Sequence, residues 1–367
     1  MRSLRVALLN PCYWPEVRRG NERFARELAD GLIERGHRPR LITSHPGLPS
    51  YKVEDGMPVI RSWRPPEGRL RRRMLDEYMT HAPFSYLVLR AGSDDLAHAL
   101  YPTDALAAVR WSRKTGRPSV MSFMGVPDRG GLIMWRRRAK HTYEAARGVD
   151  AVVALSDVAR DAFWRWLGVE ARVINPGVNL DAFSLGVRRS EQPTVFCGAQ
   201  IGARHKRVDL LVRAMRHVRK HRPDARLVLS RPRDAADLEV LDGAIDEVEL
   251  VDVDDRDALS RAYGEAWVSA LPSAREAFGL VLVEALACGT PVVATNVDGM
   301  REIVDRDSVG RLFDGDEEEL ARALVETLEL AHDRATRQEC RARAEAFSTD
   351  RCTEQYLALY SELLEAG

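Results

Sequence analysis

The 367-residue sequence predicts an α/β protein made of two Rossmann-like, doubly wound domains, each with a parallel sheet between layers of helices. Three observations lead there. The chain exceeds the roughly 250–300 residues at which a single hydrophobic core stops growing. Short apolar runs alternate with helical patterns through both halves, as parallel strands joined by crossover helices require. Between the halves, Ile174-Asn175-Pro176-Gly177-Val178-Asn179 through Arg188-Arg189-Ser190-Glu191-Gln192-Pro193 is rich in turn formers. The reading is a first domain over 1–178, a linker over 179–193, a second domain over 194–345 and a final helical segment over 346–367.

Each element has a local reason. Val6-Ala7-Leu8-Leu9 is a short buried strand, followed by a loop from Asn10 to Arg19. Gly20-Asn21-Glu22 opens an amphipathic helix with Phe24, Leu28 and Leu32 on one face, ended by Glu34-Arg35-Gly36-His37. Strands follow at Arg40–Thr43, Asp95–Ala99, Ser119–Phe123 and Ala151–Leu155. A second series starts at Thr194-Val195-Phe196-Cys197-Gly198 and continues through Arg226–Leu229 and Glu249–Val251. Asp314-Gly315-Asp316-Glu317-Glu318-Glu319 is a solvated helix start, where the helix dipole favours acids. In doubly wound sheets ligands bind at the carboxyl ends of the strands, so two facing domains are expected to form a cleft.

The chemistry concentrates in Pro272-Ser273-Ala274-Arg275-Glu276-Ala277-Phe278-Gly279-Leu280-Val281-Leu282-Val283-Glu284-Ala285-Leu286-Ala287-Cys288-Gly289-Thr290-Pro291. Ala266–Leu271 before it and Pro291–Thr295 after it read as strands, so the stretch is a loop and a crossover helix with Gly289 as its stop. Gly279 opens the helix, and free N–H groups at a helix start attract anionic oxygens. Glu276 lies just outside that start, and Glu284 lies about 7–8 Å along the axis behind it. Sugar hydroxyls, diphosphate and ribose diol follow one another in the same order along a nucleotide-sugar, and carboxylates accept well from vicinal hydroxyls. The plainer alternative is a capping role for Glu276 and a surface salt bridge for Glu284. Apolar neighbours on every side of Glu284 speak against the latter.

Glu276 and Glu284 in this context, with Phe278-Gly279-Leu280 after the first and Ala285-Leu286-Ala287-Cys288-Gly289-Thr290-Pro291 after the second, resemble the retaining glycosyltransferases of family four, which have the GT-B fold. The resemblance extends over essentially the whole chain. It implies that Glu276 contacts the donor sugar, that Phe278, Gly279 and Leu280 offer backbone amides to sugar and phosphate, and that Glu284 holds the ribose. Gly20 would belong to a glycine-rich loop near the diphosphate, although Arg19 stands where the first glycine usually lies. Gly198 and Lys206 resemble the strand end and basic segment that neutralise the leaving diphosphate. Ala199 replaces the usual arginine, so Arg204, His205 or Arg207 would supply the second positive charge, Arg204 being the first choice. His98 matches a histidine at the end of a first-domain strand, although a lone histidine is more often a structural one. Met124 stands at the position of the cleft histidine, on the acceptor and sugar side. The implied reaction is retaining transfer from a nucleoside-diphosphate sugar to an unidentified acceptor hydroxyl, without a cofactor or a metal. The alternative is a non-catalytic sugar-nucleotide-binding or accessory protein of the same fold.

Composition fits this and excludes other classes. The chain is 45% hydrophobic and 30% charged, with formal charge zero. Residues 1–180 hold 30 Lys+Arg against 19 Asp+Glu, a net of +11; the remainder of the 55 and 55, 25 against 36, gives −11. Basic clusters at Arg69–Leu75 and Leu132–Lys140 suggest a membrane-peripheral contact or an acidic acceptor on the first domain, or simply a solvated face. No nucleic-acid partner is expected. No Gly-x-Gly-x-x-Gly follows the first strand, and no Walker loop or His-Glu-x-x-His occurs. Asp252-Val253-Asp254 reads as a solvent-facing strand end. Five cysteines without metal spacing suggest free thiols in a reducing cytoplasm. Met1-Arg2-Ser3-Leu4-Arg5 runs straight into a strand, unlike a signal peptide, and no apolar run approaches the roughly 20 residues that span a bilayer.

Overall fold

Successive side chains of a strand point to opposite faces, and a strand in the middle of a parallel sheet must bury both. That is how the first unit is organised in the computed structural model, which describes residues 2–15, 20–66, 76–134, 137–232, 234–241 and 243–366. Its elements run β1 (Arg5–Leu9), α1 (Gly20–Glu34), β2 (Arg38–His45), β3 (Ser50–Glu54), β4 (Met57–Trp63), α2 (His81–Ala91), β5 (Leu96–Ala99), α3 (Pro102–Thr115), β6 (Ser119–Phe123), α4 (Arg129–Ile133), α5 (Arg138–Gly148), β7 (Ala151–Ala154), α6 (Asp157–Leu167) and β8 (Arg172–Val173). Val6, Leu8, Leu41, Leu96 and Val120 join one hydrophobic cluster, while Ala7, Leu9, Ile42, Ala97 and Met121 join the other. The strands lie in the order β3-β4-β2-β1-β5-β6-β7-β8, parallel except for the β3–β4 hairpin.

The second unit follows the same logic with β9 (Thr194–Cys197), α7 (Val208–His221), β10 (Arg226–Ser230), β11 (Glu249–Val251), α8 (Arg256–Glu265), β12 (Val268–Leu271), α9 (Leu280–Ala287), β13 (Val292–Thr295), α10 (Met300–Ile303), β14 (Gly310–Phe313), α11 (Glu317–Leu330) and α12 (Arg334–Glu345). Its six parallel strands lie in the order β11-β10-β9-β12-β13-β14. The chain leaves β9 toward one edge and returns at β12 to build the other. The gap between β9 and β12 is therefore the point where strand order reverses, and crevices open at the carboxyl ends of such strands. The acidic run starts α11 as expected: the Asp316 carboxylate accepts from the N–H groups of Glu318 and Glu319.

The units divide at Gly177 and Ser348, with Met1–Gly177 and Thr349–Gly367 in the first and Val178–Ser348 in the second. Residues 179–193, expected as a linker, are thus part of the second unit. The reason is physical: Phe183 is fully buried, and Arg337 and Arg341 donate to the carbonyls of Leu180, Phe183, Leu185 and Val187. The last helix, α13 (Thr349–Ala366), belongs to the first unit and covers the α1 side of its sheet with Tyr356, Leu357, Leu359 and Tyr360. Arg19, the cluster Arg69–Leu75, and Trp135 and Arg136 lie outside the described residues. All five cysteines are free and buried. No helix among the described residues is long and apolar enough to cross a membrane.

Candidate functional site

The loop after β9 and the loop after β12 leave adjacent strands at the switch point, and each brings one charged group. From β9 the chain makes a short 3-10 turn, Arg204–Lys206, before α7. Arg207 ends that turn in the left-handed conformation (φ 50°, ψ 42°). Its guanidinium donates to the Pro272 carbonyl at 2.6 Å and the Thr295 hydroxyl at 2.9 Å, tying this turn to the ends of β12 and β13. The Ala274 N–H donates to the His205 carbonyl at 2.7 Å, a second tie between the loops. Lys206 thereby meets Glu276 in an ion pair, with the two side chains 19% and 18% exposed.

Glu276 is held by its backbone as well. Its N–H donates to the Asp298 carboxylate at 3.1 Å, and its carbonyl accepts from Gly299 N–H at 3.3 Å. Two residues later Phe278 is buried, with its ring edge-on to Phe347 at 5.2 Å. Gly279 then caps α9 at φ 107°, ψ 49°, a conformation that L side chains rarely adopt, so glycine is required where the chain swings into the helix. Leu280 is the first residue of α9 and is half-buried. Glu284 lies on the second turn and is 2% exposed among buried Leu282, Val283, Ala285 and Leu286.

The chemistry of the neighbours decides which cations remain available. Burial first, and then the Lys206 charge, hold the His205 imidazole below its ordinary range, so it is neutral at pH 7 and adds no positive charge. Arg207 is occupied with Pro272 and Thr295. Arg204 is exposed, with no carboxylate at ion-pair distance among the described residues. Gly198 serves packing first: a Cβ there would lie 2.6 Å from the Tyr263 hydroxyl, so glycine lets that ring close under the end of β9. Ala199 is buried beside it.

The first-unit candidates fall elsewhere. Gly20 is exposed at the start of α1, after the undescribed residues 16–19. Met124 is half-buried and packs against the cluster under α1 and α13. For His98 the structure favours the structural reading over the alternative of contact with ligand. Its ring is fully buried, with Nδ1 2.7 Å from the Tyr360 hydroxyl and Nε2 2.7 Å from the Ser122 hydroxyl. Burial pushes its pKa down to about 3, so it is a neutral core residue that fastens α13 to the sheet.

Sequence reasoning missed Asp298, Thr295 and the bracing role of Arg207. Asp298-Gly299 directly after a strand was a legible turn signal. Nothing local indicated that the Asp298 carboxylate reaches back 22 residues to Glu276.

Comparison with known proteins identifies the family. Residues 18–182 match the model of Glycosyltransferase Family 4, and residues 192–330 match that of Glycosyl transferases group 1. The chain is 32% identical over 332 residues to a D-inositol 3-phosphate glycosyltransferase of Thermobifida fusca, covering 79% of this chain and 75% of the relative. It is 27% identical over 339 residues to a phosphatidyl-myo-inositol mannosyltransferase of Mycobacterium tuberculosis, covering 88% and 85%. Among solved structures, a sucrose-phosphate synthase from Thermosynechococcus elongatus superposes with TM-score 0.85 at 22% identity over the whole of both chains. An Anabaena protein, HepE, in complex with UDP-glucose superposes with TM-score 0.73 at 18% identity, over 99% of this chain and all of that one. With both halves matching, the chain belongs to the glycosyltransferases of family four and has the GT-B fold.

Proposed function

We propose that the protein transfers a sugar from a nucleoside-diphosphate sugar to an acceptor hydroxyl, with retention at the anomeric carbon and without a metal. The observation that carries this is the Lys206–Glu276 pair at the β9/β12 switch point, beside the start of α9. An ammonium group has three donors, so Lys206 can stay with Glu276 and still reach a phosphate oxygen. Glu276 accepts from the sugar hydroxyls, Phe278, Gly279 and Leu280 present backbone amides, and Glu284 takes the ribose diol. Breaking the sugar–phosphate bond leaves charge on the diphosphate. Lys206, Arg204 and the helix-start amides stabilise that charge more in the transition state than in the ground state.

The sequence supplies no obvious nucleophile for the opposite face of the sugar, and the family resemblance favours same-face attack. Attack from the leaving group's own side is therefore the favoured route to retention, with the departing phosphate taking the acceptor's proton. The named relatives act on inositol-bearing substrates, and the basic first unit suits a phosphate-bearing polyol, which is the first acceptor to test. A cytoplasmic enzyme with a membrane-peripheral first unit is the accompanying proposal.

A non-catalytic sugar-nucleotide-binding protein is the second reading, kept because Ala199 occupies the place of the usual arginine. A thermal-shift screen with UDP, GDP, TDP and ADP, then with their sugars, identifies the donor. Release of free nucleoside diphosphate with acceptor present supports transfer; binding without release supports the second reading.

A further inference from the structure

The amino ends of β12 and β13 lie at the opposite end of the second sheet from Lys206 and Glu276. There a cavity of about 390 Å³ opens between Trp267, just before β12, the start of α12 and residues 188–191. Arg188, Arg189, Arg334 and Arg337 line it, with Glu191 and Asp333 as the acidic residues of its wall. The formal balance is four positive charges against two. No carboxylate lies within ion-pair distance of any of the four arginines among the described residues. Asp333 is engaged elsewhere, accepting from Ala335 N–H at 2.9 Å as the cap of α12.

Arg189 and Arg337 spend their donors on backbone carbonyls. Arg189 donates to Ala331 and, at 3.2 Å, to Gly289, while Arg337 donates to Leu185 and Val187. The buried Nε of Arg189 has no acceptor among the described residues. Burial, followed by the charge of Arg337, lowers the Arg189 pKa to about 10, as expected for a desolvated cation lacking a counter-ion. Arginines elsewhere in the chain mostly find one, as Arg216 does with Glu247 and Arg40 with Asp94. A buried charge without a counter-charge is costly, and guanidinium groups match oxyanions in geometry.

We propose that this cavity binds a multiply charged oxyanion of the phosphate class, gripped by Arg188, Arg189, Arg334 and Arg337, as a second site distinct from the donor site. The surplus of arginines over carboxylates in its wall calls for an anion with several acceptor oxygens. The cavity accommodates either an inorganic anion or the phosphate group of a small ester.

The test is binding of inorganic phosphate, inorganic pyrophosphate and a sugar monophosphate, each followed by calorimetry on the full chain. At least one should bind at millimolar concentration or tighter, and the strongest of the three identifies the source. Arg188→Gln/Arg334→Gln removes two exposed cations that hold no backbone group, and should weaken that binding about tenfold, the order for lost charge-assisted contacts. Arg189→Gln should weaken it further; because that residue also tethers Ala331 and Gly289, the double variant is the decisive one. Pyrophosphate can also enter the donor site, so the titration is repeated in Lys206→Ala, where the second site's binding persists. The proposal is overturned if none of the anions binds, if the double variant binds like the wild type, or if Lys206→Ala abolishes all binding. The donor assignment stands or falls separately, on nucleotide binding in Glu284→Gln.

Discussion

Glu276 and Glu284 sit eight residues apart yet differ in setting, and each is expected to fail in its own way when replaced. Glu284→Gln should weaken both free nucleotide and nucleotide-sugar, since the ribose is common to them. Glu276→Gln should spare the nucleotide and lower turnover. Calorimetry with unchanged nucleotide affinity in Glu284→Gln would remove the ribose assignment. Lys206→Ala should reduce turnover about 10²-fold, or about 2.7 kcal/mol, the order for one preorganised oxyanion stabiliser. Activity within threefold of wild type would move the role to Arg204. His98 makes a pH prediction. Its folded pKa of about 3 lies below the unfolded 6.5, so between those values the unfolded chain binds more protons. The stability that neutral His98 allows is complete above pH 6.5 and is lost as pH falls toward 3, at about 1.4 kcal/mol per unit. Denaturant titrations at pH 7.5 and 5 check this against His98→Gln, in which that part of the slope should vanish.

At the level of elements, the proposed donor site depends on three loops locked at the carboxyl ends of β9, β12 and β13. Arg207 ties the first to the other two, and Asp298 holds the backbone of Glu276. Asp298→Ala removes an acceptor that touches no proposed substrate group. It should nonetheless cut turnover about tenfold by loosening the Glu276 loop, while the melting temperature changes little. Full activity in steady-state assays would show that the loop holds without it. The Asp298-Gly299 and Asp55-Gly56 turns were both legible as dipeptides, and the latter closes the β3–β4 hairpin that sequence analysis passed over. Strands β8 and β14 were missed because short or half-exposed strands carry weak apolar patterns: β8 has two residues and β14 has two half-buried ones.

The asymmetry of charge between residues 1–180 and 181–367, +11 against −11, is joined by an asymmetry of exposed surface between the two units. Of the eleven large hydrophobic side chains exposed among the described residues, ten belong to the first unit and only Ile245 to the second. Trp164 and Trp166 on α6 are 63% and 46% exposed, near Arg165, while Arg160 is paired with Asp157 and Asp161. Trp at a lipid interface buries its ring beside the headgroups, and arginine adds attraction to anionic lipid. Sedimentation should show binding to anionic but not neutral vesicles, lost at high salt and reduced in Trp164→Ser/Trp166→Ser. Equal recovery with both lipids would leave α6 a solvated face.

The family and the two-unit α/β class were readable from local pattern, because a parallel strand needs only a short apolar run and a helix start only a few residues of punctuation. Glu276, Gly279 and Glu284 are close enough in sequence for one helix to order them. Which distant residues meet was decided by the tertiary structure alone. Lys206 and Glu276 are 70 residues apart and are neighbours because β9 and β12 pair. His98 and Tyr360 are 262 apart, and that contact turned a candidate ligand contact into a core hydrogen bond. Whether a polar side chain faces solvent or a partner depends on what folds over it, and that covering element leaves no mark in the residues beside it.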